Sequence, residues 1–137
     1  MKTWVHSLVS FILALVLYPI FGWEAVLILA GGILIDFDHY IRFMFKYKNL
    51  SIFECYRHYI LMFKKNNFDE CNDGLFIFHT IEFAIVIAIL SFFNRLAMIF
   101  AIGLLAHYLL DLIWHMHVPR RIVANHSLIS WILKQKF

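Results

Sequence analysis

The chain has 137 residues, 63 % of them hydrophobic and fifteen of them Phe, with a net charge of +3 and a mean hydropathy of +0.77. That length suits one domain, residues 1–137, and so much apolar surface exceeds what a soluble core of this size buries, so the bilayer is the natural solvent. No nucleotide loop, Ser/His nucleophile pair or nucleic-acid motif occurs, and no nucleic-acid partner is expected.

Lys2 leads into an apolar run over residues 3–21, interrupted by His6, Ser7, Ser10 and a late Pro19. It is long enough to cross about 30 Å of hydrocarbon. A basic residue ahead of an apolar run also suits a signal peptide, but no small-x-small cleavage site follows, and the next span begins almost at once. The stretch is therefore expected to be a retained transmembrane helix. Pro19 and Gly22 mark a turn, beside Tyr18 and Trp23, ring types favoured at a membrane boundary. A second span is expected over residues 23–43. Its Gly31-Gly32 pair permits close backbone approach, and its end carries Asp36-Phe37-Asp38-His39.

Residues 44–73 are more polar. Leu50, Phe53, Tyr56, Ile60 and Phe63 recur at helical spacing, with Glu54, Arg57 and Lys64 on other faces. This pattern predicts an amphipathic helix on the membrane surface, its basic residues near anionic lipid headgroups. Cys55 and Cys71 lie here without C-x-x-C spacing and are expected to be reduced thiols. A third span is expected over residues 75–93, carrying His79 and Glu82, and after Asn94-Arg95 a fourth over 96–116, carrying His107 and Asp111. Residues 117–137 form a basic tail suited to the interface. His115, His117 and His126 read as interfacial or solvated groups, and Arg120 and Arg121 as topology signals. The expected fold is an all-α integral membrane protein, four transmembrane helices in an up-down bundle.

Of the twelve Lys and Arg, all but Arg95 fall on the side of the N-terminus, the long connection and the tail. The positive-inside rule makes that side cytoplasmic, with both termini inside a cell membrane. At about 1.5 Å of rise per residue, His6, Asp36, Asp38, His39, His79, Glu82, His107 and Asp111 then lie in one layer near the cytoplasmic leaflet. His107 and Asp111 are i,i+4; His79 and Glu82, and Asp36 and His39, are i,i+3, so each pair shares a helix face. Asp38 joins only if its helix loosens. Carboxylates and imidazoles at membrane depth need partners or a cation. This mixture suits one or two divalent ions, zinc first, with manganese or iron as the other choices.

The order of these motifs resembles the YdjM-type (DUF457) membrane-bound metal-dependent hydrolases. The matching segments are His6, Ile35-Asp36-Phe37-Asp38-His39, Phe78-His79-Thr80, and Gly103 through His107 to Asp111. That family is distantly similar to zinc-dependent phospholipase C-like enzymes, so the resemblance implies hydrolysis. Its members often carry His-Arg-x-x-Thr-His-Ser before the third helix; here the segment reads Phe78-His79-Thr80-Ile81-Glu82, so either Glu82 replaces the missing ligand or the chain is a divergent branch.

Three functional classes remain open. A metallohydrolase would use a metal-activated water on a lipid or lipid-linked (phospho)ester, with Asp38 or Glu82 as general base. A non-catalytic metal-binding membrane protein, a sensor or assembly partner, would fill the coordination sphere with the same ligands. A transporter fits least, because residues 25–35 and 96–106 are wholly non-polar.

Overall fold

The computed structural model describes residues 3–65, 74–117 and 126–135. Every regular element among them is helical: α1 (Thr3–Phe21), α2 (Val26–Ile33), α3 (Phe37–Tyr47), α4 (Ile52–Lys64), α5 (Ile81–Phe93), α6 (Arg95–His117) and α7 (Leu128–Gln135). Short 3-10 turns at Gly22–Ala25, Leu34–Asp36 and Ile77–His79 join or precede them.

Gly22 reverses the chain with a φ of +58°, a conformation that favours glycine, and α1 and α2 then run side by side. Asn94 makes the second reversal. Its side-chain oxygen accepts from the backbone N–H groups of Leu96 (2.8 Å) and Ala97 (3.2 Å), capping α6. The two reversals meet at one end of the molecule, where Arg95 and Glu24 form an ion pair at 2.9 Å. Ala14, Ala25, Ile28 and Ile99 pack as the buried core behind it.

The most extensive helix contact is α2 on α6, with α1 and α5 flanking it. Glycines set its closeness: a Cβ on Gly103 would strike the Ile28 carbonyl, and one on Gly32 would strike the Ser10 hydroxyl. The outer faces are apolar. Phe11 and Leu15 on α1, Val86 and Ile89 on α5, and Leu105 and Leu112 on α6 are all exposed.

Two helical stretches are long and apolar enough to cross a membrane: Thr3–Tyr47, which contains the Gly22 reversal, and Arg95–His117. The third span expected over residues 75–93 is shorter. Thr80 is extended (ψ 151°) and its hydroxyl accepts from Phe83 N–H at 3.3 Å, so the helix starts at Ile81. Its 13 residues reach about 20 Å, short of a bilayer core. The second expected span is interrupted by the 3-10 turn at Leu34–Asp36.

The amphipathic helix in the long connection is α4. Lys48, left-handed at φ 50°, ends α3, and the Ser51 hydroxyl accepts from Glu54 N–H at 3.2 Å to start α4. Leu50, Phe53, Tyr56 and Ile60 lie in this described region, and Phe63 is helical. Cys71, Arg120 and Arg121 lie outside the described residues.

Candidate metal centre

At the end of the molecule away from Arg95, four separate chain segments bring histidines and carboxylates together. His107 sits one helical turn beyond Gly103, at the close crossing of α6 with α2. Because α2 ends at Ile33, the Gly32 carbonyl belongs to its last turn, where helical carbonyls lack partners within the helix. His107 Nδ1 donates to that carbonyl at 2.9 Å. A carbonyl oxygen only accepts, so the Nδ1 of His107 carries a proton, and in the neutral imidazole Nε2 then keeps a lone pair.

His79 is fixed in the same way by a different partner. The 3-10 turn at Leu34–Asp36 re-aims the start of α3, and Asp38 is buried at 5 % exposure. Its Oδ2 accepts from His79 Nδ1 at 2.9 Å and from Phe78 N–H at 3.2 Å, while Oδ1 lies 2.9 Å from His39 Nδ1. In its neutral form His79 thus also turns a lone-pair Nε2 inward. The two Nε2 atoms face each other at 3.1 Å.

Two carboxylates complete the group. Asp36 Oδ1 lies 3.8 Å from His79 Nε2 and 3.7 Å from His107 Nε2. Asp111 Oδ2 lies 3.7 and 3.3 Å from the same two atoms. His6, stacked on His107 with ring centroids 4.0 Å apart, places Nε2 3.2 Å from the other oxygen, Asp111 Oδ1. His6 and His107 are essentially fully buried.

Four acceptor atoms therefore converge: His79 Nε2, His107 Nε2, Asp36 Oδ1 and Asp111 Oδ2. Facing lone pairs repel in a low-dielectric interior unless a positive charge, either a metal ion or a proton carried by one of the two imidazoles, lies between them. A tetrahedral metal with bonds of about 2.0–2.1 Å holds its ligand atoms about 3.3–3.4 Å apart. Five of the six separations run from 3.1 to 3.8 Å around that value, and the ligand atoms of Asp36, His79 and His107, like those of His6, His107 and Asp111, lie within 4.8 Å of one another. The donor set fits a divalent metal, and its outer hydrogen bonds are of the kind that orient metal-binding imidazoles.

The residues expected from the sequence divide into three groups. Asp36, His79, His107 and Asp111 form the centre. His6, Asp38 and His39 belong to overlapping groups that could also hold a metal ion, His6 with His107 and Asp111, and Asp38 and His39 with His79; as placed, His6 contacts Asp111, Asp38 holds His79, and His39 is paired to Asp38. Glu82 does not join the centre in this structure. The extended Thr80 breaks its helical register with His79, and its carboxylate caps α7 instead. It accepts from the Ser127 hydroxyl (2.6 Å) and from the N–H groups of Leu128 (3.0 Å) and Ile129 (3.3 Å). His117 Nδ1 lies 2.7 Å from the Ile113 carbonyl, His115 packs against Trp114, and the His126 carbonyl accepts from Ile81 N–H at 2.8 Å.

Several supporting residues carry little sequence signal. The Tyr108 hydroxyl donates to the Phe78 carbonyl at 2.5 Å and pins the His79 turn; Tyr59 donates to the His39 carbonyl at 3.2 Å. Tyr108 follows His107 directly, but its partner is 30 residues away. No protein-family model, curated protein or solved structure matches this chain.

Proposed function

We propose that the chain is a membrane-embedded, metal-dependent hydrolase whose centre is Asp36, His79, His107 and Asp111. The observation that carries this reading is the convergence of four lone-pair atoms with both imidazole tautomers set from outside. The apolar outer faces and the layer of basic residues support a multi-pass protein of the cell membrane, both termini cytoplasmic. Four membrane crossings require α5 to be supplemented by its flanking segments. For hydrolysis three of the four, such as Asp36, His79 and His107, would hold the metal and leave a position for water; zinc suits such a set best, and manganese and iron share these ligands.

A bound metal supplies a water activated at neutral pH and polarises the ester or phosphoester oxygen. The chain's own groups do the rest. His6 and Asp38 hold Asp111 and His79 in place. Both oxygens of Asp38 are engaged and Glu82 is committed to α7, which disfavours either as general base. His39 is better placed: its Nδ1 is held by Asp38, and the ring lines an open cavity beside the centre, leaving Nε2 to take a proton from water. The position near the leaflet favours a lipid or lipid-linked substrate.

The second reading, a non-catalytic metal-binding membrane protein, is favoured by the donor count, since four protein ligands can close a tetrahedral sphere. Elemental analysis of purified protein beside a His107→Ala/Asp111→Ala variant tests the centre. Near-stoichiometric metal in the wild type and little in the variant is expected; negligible metal in both refutes it. Metal-dependent turnover of phosphoesters or short-chain lipids by the wild type, absent in the variant, then separates enzyme from scaffold.

A further inference from the structure

Beside the centre lies a cavity of about 380 Å³. Asp36, His79 and Asp111 form its polar floor, and Cys55, Tyr59, Met62, Phe76 and Trp114 its walls. Leu34, Phe37, Ile52 and Tyr56 line it too, and each is more than half exposed, so the mouth opens on the apolar exterior of the molecule. With His39, His115 and His126 also in the lining, polarity ranges from carboxylates and imidazoles to hydrocarbon within one continuous space. That gradient matches an amphiphile lying with its polar end inward. At about 30 Å³ per water-sized group, the cavity holds about a dozen chain carbons, enough for one chain and too few for two.

We propose that this cavity takes a single apolar chain of a membrane lipid, the lipid's ester or phosphoester end lying against Asp36, His79 and Asp111. Only the placing of the polar end rests on the hydrolase reading; the seating of the chain does not. The wall formed by α4 makes the chain-binding surface. Its amphipathic character therefore serves the cavity on one side, through Cys55, Tyr59 and Met62, and the surroundings on the other, through Phe53.

Cys55, buried at 6 % exposure in this wall, gives a direct readout. A Cys71→Ser variant leaves it as the one thiol, and transfer from detergent into an amphipathic polymer removes competing detergent. Its alkylation by N-ethylmaleimide, followed by mass spectrometry, should slow tenfold or more on saturation with hexadecyl phosphate. Butyl phosphate, with the same headgroup and a short chain, should leave the rate within twofold. A thiol on the outer face of α4 (Phe53→Cys in a Cys55→Ser/Cys71→Ser background) should show no protection. The same protection is expected in His107→Ala/Asp111→Ala, so loss of the metal reading would leave the chain site standing. Equal protection by both phosphates, protection of the outer thiol, protection confined to the intact centre, no protection, or a Cys55 that never reacts would each overturn the proposal.

Discussion

Replacing Asp38 by Asn separates a positioning carboxylate from a ligand. The side chain keeps its size but loses its charge and turns one acceptor into a donor. Two N–H groups, from Phe78 and His79, converge on Oδ2, whereas among the described residues His39 Nδ1 alone faces Oδ1. The amide oxygen therefore takes the Oδ2 place, and its NH2 meets His39 Nδ1, forcing that ring to move its proton to Nε2. His79 keeps its tautomer, but its hydrogen bond falls from a charge-assisted to a neutral one, about half as strong. Loss of such an outer partner weakens metal binding about 10–100-fold, or about 1.4–2.8 kcal/mol. Titration of metal-free protein against a competing chelator reads this directly. An affinity within twofold of wild type would show that Asp38 positions nothing. A loss as complete as that of His107→Ala would make it a ligand.

Glu82→Ala should leave metal content unchanged while the amides of Leu128 and Ile129 exchange with solvent faster, since their acceptor is gone; a drop in metal content would restore Glu82 to the centre. Gly103→Val forces a side chain into the Ile28 carbonyl and parts α2 from α6. Strain from such overpacking costs about 1–3 kcal/mol or more, so a lower unfolding temperature and weakened metal binding are both expected; an unchanged melting curve would contradict the close crossing. Burial pushes the Cys55 thiol above its ordinary pKa. The thiolate is the reactive form, so the pH of half-maximal alkylation of Cys55 should lie above about 8.5, the midpoint for a free thiol; a midpoint at or below that pH refutes the burial argument.

How much was legible in the sequence follows from which distances a helix fixes by itself. His6 and Asp111 are 3.2 Å apart because α1 and α6 each descend about 24 Å from the paired reversals at Gly22 and Arg95, a depth given by rise alone. His107 and Asp111 share a face by spacing alone. The condition on Asp38, a loosened helix, is met by the 3-10 turn at Leu34–Asp36. The pairing of His79 with Glu82 failed because it assumed unbroken helix. A Thr immediately before the apolar run was the available sign that the helix begins after it. The partner of Glu82, Ser127, lies 45 residues on, and no local pattern announces such a contact.

The interruption at Leu34–Asp36 also bears on how the chain reaches its final form. It places Asp36 between two short helices, which backbone hydrogen bonding alone would favour joining into one. The centre's atoms come from distant parts of the chain: His79 and His107 are 28 residues apart, and Gly32 and His107 are 75 apart. A cation held there closes long loops as a cross-link does, and removes entropy chiefly from the unfolded ensemble. It also holds the interrupted helix in its interrupted form. Metal capture and completion of the fold are then linked equilibria, with stability rising as the logarithm of free metal above its dissociation constant.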